Sequence, residues 1–91
     1  VEDLNSKASA YPNPFTNEIQ VVFTLEETEI VRMNVFNNQG VHVDFLSEQT
    51  FNPGTHHLLW DSGNHPSGVY HIRLMIGERA ISFKVIKKTD N

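Results

Sequence analysis

Apolar residues recur at every second position along most of this chain. Ile19, Val21, Phe23 and Leu25 form one series, Val31, Met33 and Val35 a second, and Val41, Val43 and Phe45 a third. Further on, His56, Leu58 and Trp60 alternate with His57, Leu59 and Asp61, and Tyr70, Ile72, Leu74 and Ile76 oppose Val69, His71, Arg73 and Met75. Ile81, Phe83 and Val85 close the pattern, with Ser82 and Lys84 turned the other way. A period of two marks strands with one buried face, and no stretch shows a comparable run at helical spacing.

Turn chemistry separates these runs. The breaks are Pro12-Asn13-Pro14, Glu26-Glu27-Thr28, Asn37-Asn38-Gln39-Gly40, Asn52-Pro53-Gly54, residues 62–68 and Ile76-Gly77-Glu78, rich in residues that tolerate positive φ or preset it. Six breaks predict about seven strands. Short antiparallel strands with tight connections predict an all-β, immunoglobulin-like β-sandwich spanning residues 8–88. Residues 1–7 are polar and lack alternation, as expected of a linker remnant, and residues 89–91 read as a flexible tail.

Composition changes the picture by limiting it. For 91 residues, the scaling of surface with mass gives roughly 5,400 Å² folded against about 15,100 Å² unfolded. With roughly 55–60% of the buried area apolar, burial at about 25 cal/mol/Å² contributes on the order of 140 kcal/mol, and ordering costs of about 1.5 kcal/mol per residue nearly cancel it. So thin a margin disfavours a deep polar cleft, and with it an enzyme. The chain has no cysteine, which removes disulfides and thiolate zinc sites and leaves the redox compartment open. No apolar run has the length of a transmembrane helix. The first residues, Val1-Glu2-Asp3-Leu4-Asn5, lack the regions of a signal peptide, which says nothing of a longer exported parent.

A net charge of −4 disfavours nucleic acid as a partner. Its distribution is more telling. Between residues 8 and 72 the only Lys or Arg is Arg32, whereas Arg73, Arg79, Lys84, Lys87 and Lys88 gather near the end. They predict a basic patch on an acidic body: either a solvated edge whose lysines discourage strand pairing, or a docking surface for an acidic partner.

Chemistry-bearing residues offer little else. His56 and His57 point to opposite faces of one strand and cannot hold one ion, while His42 and His71 would meet only across strands and His65 lies in a turn. Asp61 and Asn64 have suitable oxygens for calcium but match no complete calcium loop. No Gly-x-Ser-x-Gly elbow, cysteine nucleophile or His-Glu-x-x-His is present. Neither metal nor any other cofactor is expected. Exposed aromatics could stack on sugars, but Trp60, Tyr11, Phe36 and Tyr70 suit core packing better in so small a sandwich.

Four segments in this order carry a family resemblance: Tyr11-Pro12-Asn13-Pro14-Phe15; Val35-Phe36-Asn37-Asn38-Gln39-Gly40; the run from Gly54 to Asp61; and Ser67-Gly68-Val69-Tyr70 followed by Lys84-Val85-Ile86. Over residues 9–88 the chain resembles a C-terminal sorting domain of the bacterial type IX secretion system. Asn37 stands where that family usually has Asp, and Asn can make the same side-chain turn bond. The chain is similar also to immunoglobulin-like modules resembling the C-terminal domain of the flagellar hook-capping protein.

The resemblance implies a non-catalytic signal that directs an attached cargo through the periplasm and across the outer membrane to the cell surface or medium. Its implied partners are the outer-membrane translocon and a sortase that removes the domain. On this reading Tyr11, Pro12, Asn13, Pro14, Asn37, Gly40, Gly54, Gly68, Tyr70 and Lys84 are motif residues, fold determinants first and recognition elements second. Pro12 and Pro14 should end the first strand, the three glycines should supply turn conformations, and Tyr70 should point its ring inward and its hydroxyl at the backbone. The final strand and the basic patch are the expected translocon contact. The alternative is a retained immunoglobulin-like spacer, or a carbohydrate- or partner-binding module of an extracellular protein. An edge strand left open could pair two copies weakly.

Overall fold

Alternation becomes burial almost position for position. The computed structural model describes residues 8–89, in seven strands: β1 (Ala8–Tyr11), β2 (Glu18–Leu25), β3 (Glu29–Asn37), β4 (His42–Phe51), β5 (Gly54–Asp61), β6 (Gly68–Ile76) and β7 (Arg79–Lys87). They form two antiparallel sheets, β1-β2-β5 and β4-β3-β6-β7, the expected immunoglobulin-like sandwich. Ile19, Val21 and Phe23 from one sheet meet Val31, Met33, Val35, Ile72 and Leu74 from the other, all fully buried. The surface of 5522 Å² agrees with the roughly 5,400 Å² expected from mass alone. The linker expected at residues 1–7, and residues 90–91 of the expected tail, lie outside the described residues.

Strand β4 departs from the expected pattern. Its register against β3 shifts twice: Met33 faces Ser47 while Asn34 faces Phe45, and Val35 faces Asp44 while Phe36 faces His42. Leu46 and Val43 are therefore extra residues in two bulges, and each bulge resets which side chains point inward. Leu46 and Val43 pack against the core, whereas Val41 and Phe45, expected on the same buried face as Val43, are 56% and 53% exposed.

Each sheet edge is treated differently. Strand β1 is only four residues long, β4 is bulged, and β7 is covered by the segment that follows β1. Strand β5 pairs with β2 in unbroken register over eight residues, and its other edge pairs with no strand among the described residues. Short edges, bulges and covers are the usual protections against edge-to-edge association, and among the described residues no strand or bridge protects β5 in these ways.

Candidate recognition site

The Tyr11-Pro12-Asn13-Pro14-Phe15 motif clasps the last strand. Both prolines lack an amide donor, so β1 cannot continue through them, and both follow cis peptide bonds. The turned chain brings Asn13 alongside β7, where its side chain replaces a missing strand. Its Nδ2 donates to the Lys84 carbonyl at 3.1 Å, and its Oδ1 accepts from the Ile86 amide at 2.9 Å. Phe15 extends the clasp as a parallel bridge, its amide donating to the Ile86 carbonyl at 2.9 Å and its carbonyl accepting from the Lys88 amide at 2.8 Å. Its ring is buried at 1% exposure, with its centroid 5.7 Å from that of Trp60. Tyr11, expected to pack, is instead 46% exposed, because it pairs with Gln20 on the outward-facing side of β1 and β2.

Asn37 organises the β3–β4 turn. Its Oδ1 accepts from the Gln39 amide at 2.9 Å and the Val41 amide at 3.0 Å, and its carbonyl accepts from the Gly40 amide at 3.0 Å. Gly40 has a φ of +83°, a conformation that costs other residues strain. Gly54 and Gly68 are likewise at positive φ. Asn37→Asp keeps the acceptor and should leave thermal stability nearly unchanged, whereas Asn37→Ala orphans two turn amides and should cost about 1 kcal/mol, read by chemical denaturation.

Tyr70 and Trp60 join the sheets at the same end. The Tyr70 ring is buried, and its hydroxyl donates to the Pro66 carbonyl four residues upstream, the tyrosine-corner arrangement of immunoglobulin-like sandwiches. Its centroid lies 5.2 Å from that of Trp60, whose indole nitrogen donates to Asp44 Oδ2 at 2.9 Å. Burial pushes the Tyr70 phenol above its ordinary value of 10.0. The folded state thus holds this proton more tightly than the unfolded chain. Its contribution is whole below pH 10.0 and fades as pH climbs through the raised value. Tyr70→Phe should cost about 0.5–1.5 kcal/mol at neutral pH and should flatten the alkaline loss of stability, measured by urea unfolding at stepped pH.

The expected basic patch is only partly a surface. Arg79 is tied to Glu29 at 2.7 Å. Lys87 is 8% exposed, and its Nζ donates to the carbonyls of His65 at 2.7 Å and Gly63 at 3.1 Å. Lys87 therefore closes the loop before β6 and does not join a docking patch. The inward series Ile81, Phe83, Val85 reaches position 87 at the next step of two, which is the signal that could have shown it. Arg73, Lys84 and Lys88 are exposed and make no ion pair among the described residues. Thr89, assigned to the flexible tail, places its hydroxyl 3.3 Å from that of Ser67.

The histidines are spread apart. His56 donates from Nε2 to the Asn52 carbonyl at 2.7 Å, and His42 lies 2.8 Å from Asn34 Oδ1. His65 leans on Trp60 and Tyr70, and Phe36 stands between His42 and His71 in the sheet. Among the described residues no three His, Cys, Asp or Glu side chains are placed to hold a metal ion. An open cleft of about 340 Å³ lies between the Asn37–Gln39 turn and residues 65–70, and Val43, Val69 and Tyr70 line it together with polar groups. No helix among the described residues is long and apolar enough to cross a membrane.

A small sandwich whose distinctive residues form turns, a corner and a clasp onto the last strand defines a class: a compact all-β module whose marked residues serve its fold. The chain belongs to the family described as secretion system C-terminal sorting domains, whose family model matches residues 9–88. No curated protein matches it. Membership makes it a type IX secretion sorting domain, a non-catalytic signal that engages the secretion machinery on behalf of an attached cargo bound for the cell surface or the exterior.

Proposed function

We propose that this domain is a cleavable sorting signal, handed to the outer-membrane translocon as a folded unit and removed by a sortase as the cargo is anchored at the surface. The observation that carries the reading is the clasp of Asn13 and Phe15 on β7. It makes the first and last motifs of the family one structural element, so that the partner meets a completed sandwich and not a linear tag. Recognition then draws on the motif residues Tyr11, Pro12, Asn13, Pro14, Asn37, Gly40, Gly54, Gly68, Tyr70 and Lys84 through the shape they impose. The sandwich spans residues 8–88, and cleavage falls at or before residues 1–7, a polar stretch whose sequence carries no strand alternation and so suits a protease-accessible linker.

A reporter fused ahead of this domain, expressed in a host with the type IX apparatus, should reach the medium or surface without the domain attached. Retention in the periplasm, or equal export without residues 69–91, overturns the sorting role. Mass spectrometry of the exported reporter reads the second half: an intact C-terminus makes the domain a retained module. The open edge of β5 is where two copies would pair, and sedimentation over a concentration series reads that association.

A further inference from the structure

Strand register arranges the outward face of the four-stranded sheet in rows. One row runs Glu48, Arg32, Met75, Ala80; the next Phe45, Asn34, Arg73, Ser82; the next His42, Phe36, His71, Lys84. The chain has eleven acidic residues and a net charge of −4, yet the second and third rows contain no carboxylate. In the first row, Glu48 is engaged by Arg32 at 3.3 Å. Arg73 and Lys84 stand as diagonal neighbours, about 7–8 Å apart, without an ion pair among the described residues. Three of the large apolar side chains left most exposed, Ile30 at 49%, Phe45 at 53% and Ile86 at 42%, share this face.

We propose that this face, centred on Phe45, Arg73 and Lys84, is the surface that docks on the transport machinery, and that its partner is a protein surface with an apolar centre and carboxylates set to meet the two cations. The proposal rests on the sorting reading and adds where the domain is read and by what chemistry. Exposed aromatic and arginine side chains grouped together are the composition of a protein interface. The two cations of the face, or three with Lys88 just beyond β7, are too few for a bilayer, since lipid-surface segments use clusters of about 4–8. The clasp serves the same surface: Asn13 grips the Lys84 carbonyl, so the motif fixes the backbone that carries the exposed ammonium.

The test compares reporter fusions of the native domain, the double variant Arg73→Glu/Lys84→Glu, Phe45→Ser, and Leu59→Ser on the opposite sheet, where Leu59 is similarly exposed at 51%. All are surface changes expected to melt close to the native domain, which circular dichroism checks first. Export should fall about tenfold or more for the charge reversal and for Phe45→Ser, and stay native for Leu59→Ser. Native export with all three variants exported equally overturns the docking face and leaves the sorting role standing. Failure of the native fusion to be exported overturns both. Co-sedimentation of the native domain with phosphatidylglycerol vesicles, abolished by the double reversal, overturns the protein partner in favour of a lipid one.

Discussion

Phe15→Ala should melt the domain at least about 12 °C below the native protein. Phe15 is 1% exposed, and emptying a site of that size costs about 3–5 kcal/mol. A domain this small loses roughly 4–8 °C per kcal/mol. The loss is not confined to packing, because the Phe15 backbone bridges Ile86 and Lys88 and its ring supports Trp60. Asn13→Ala separates the two effects: it removes the side-chain bonds to Lys84 and Ile86 and leaves the ring in place. Amide exchange followed by NMR should then show Ile86 losing protection while Ile72 and Leu74, inside the sheet, keep theirs. A native melting temperature for Phe15→Ala would mean that the last strand is held by β6 alone.

The strands were legible because burial in a two-sheet sandwich enforces a period of two, and Ile19 to Leu25 or Tyr70 to Ile76 carry it without interruption. Strand β4 was not. Its bulges at Leu46 and Val43 leave no composition signal, and each one turns the next side chains to the other face, so Phe45 reads inward and stands outward. The turn roles of Asn37 and Gly40 followed from residue type, since the bonds they make are local.

Contacts between distant segments were not legible in the same way. Asn13 meets residues 71 and 73 positions away, and nothing in its neighbours announces an acceptor on the final strand. The basic cluster shows the opposite case. Five cations close in sequence are spread over β6, β7 and the residue after it, so the fold spends Arg79 on Glu29 and Lys87 on two carbonyls, and leaves Arg73, Lys84 and Lys88 outside. Proximity in sequence measured charge; only strand direction and partners measured surface.

Trp60 carries the other large effect, and its energetics divide into two parts that mutation can resolve. Trp60→Ala should cost about 3–5 kcal/mol, because a fully buried indole packed against Phe15 and Tyr70 leaves a void that both the clasp and the corner border. Trp60→Phe keeps most of that packing and removes the donor to Asp44, which is half-buried and turned inward by the bulged strand. The carboxylate then loses a charged hydrogen bond, a penalty of about 1.5–3 kcal/mol. Asp44→Asn retains an acceptor oxygen and should cost less than Asp44→Ala. In a double-mutant cycle by urea unfolding, Trp60→Phe and Asp44→Ala should couple by about 1 kcal/mol or more, since each removes the same bond. Additive losses would assign the stability of this end to packing alone. Coupling would show that the bulge in β4 is kept because it delivers Asp44 to the one indole that joins the clasp, the corner and the core.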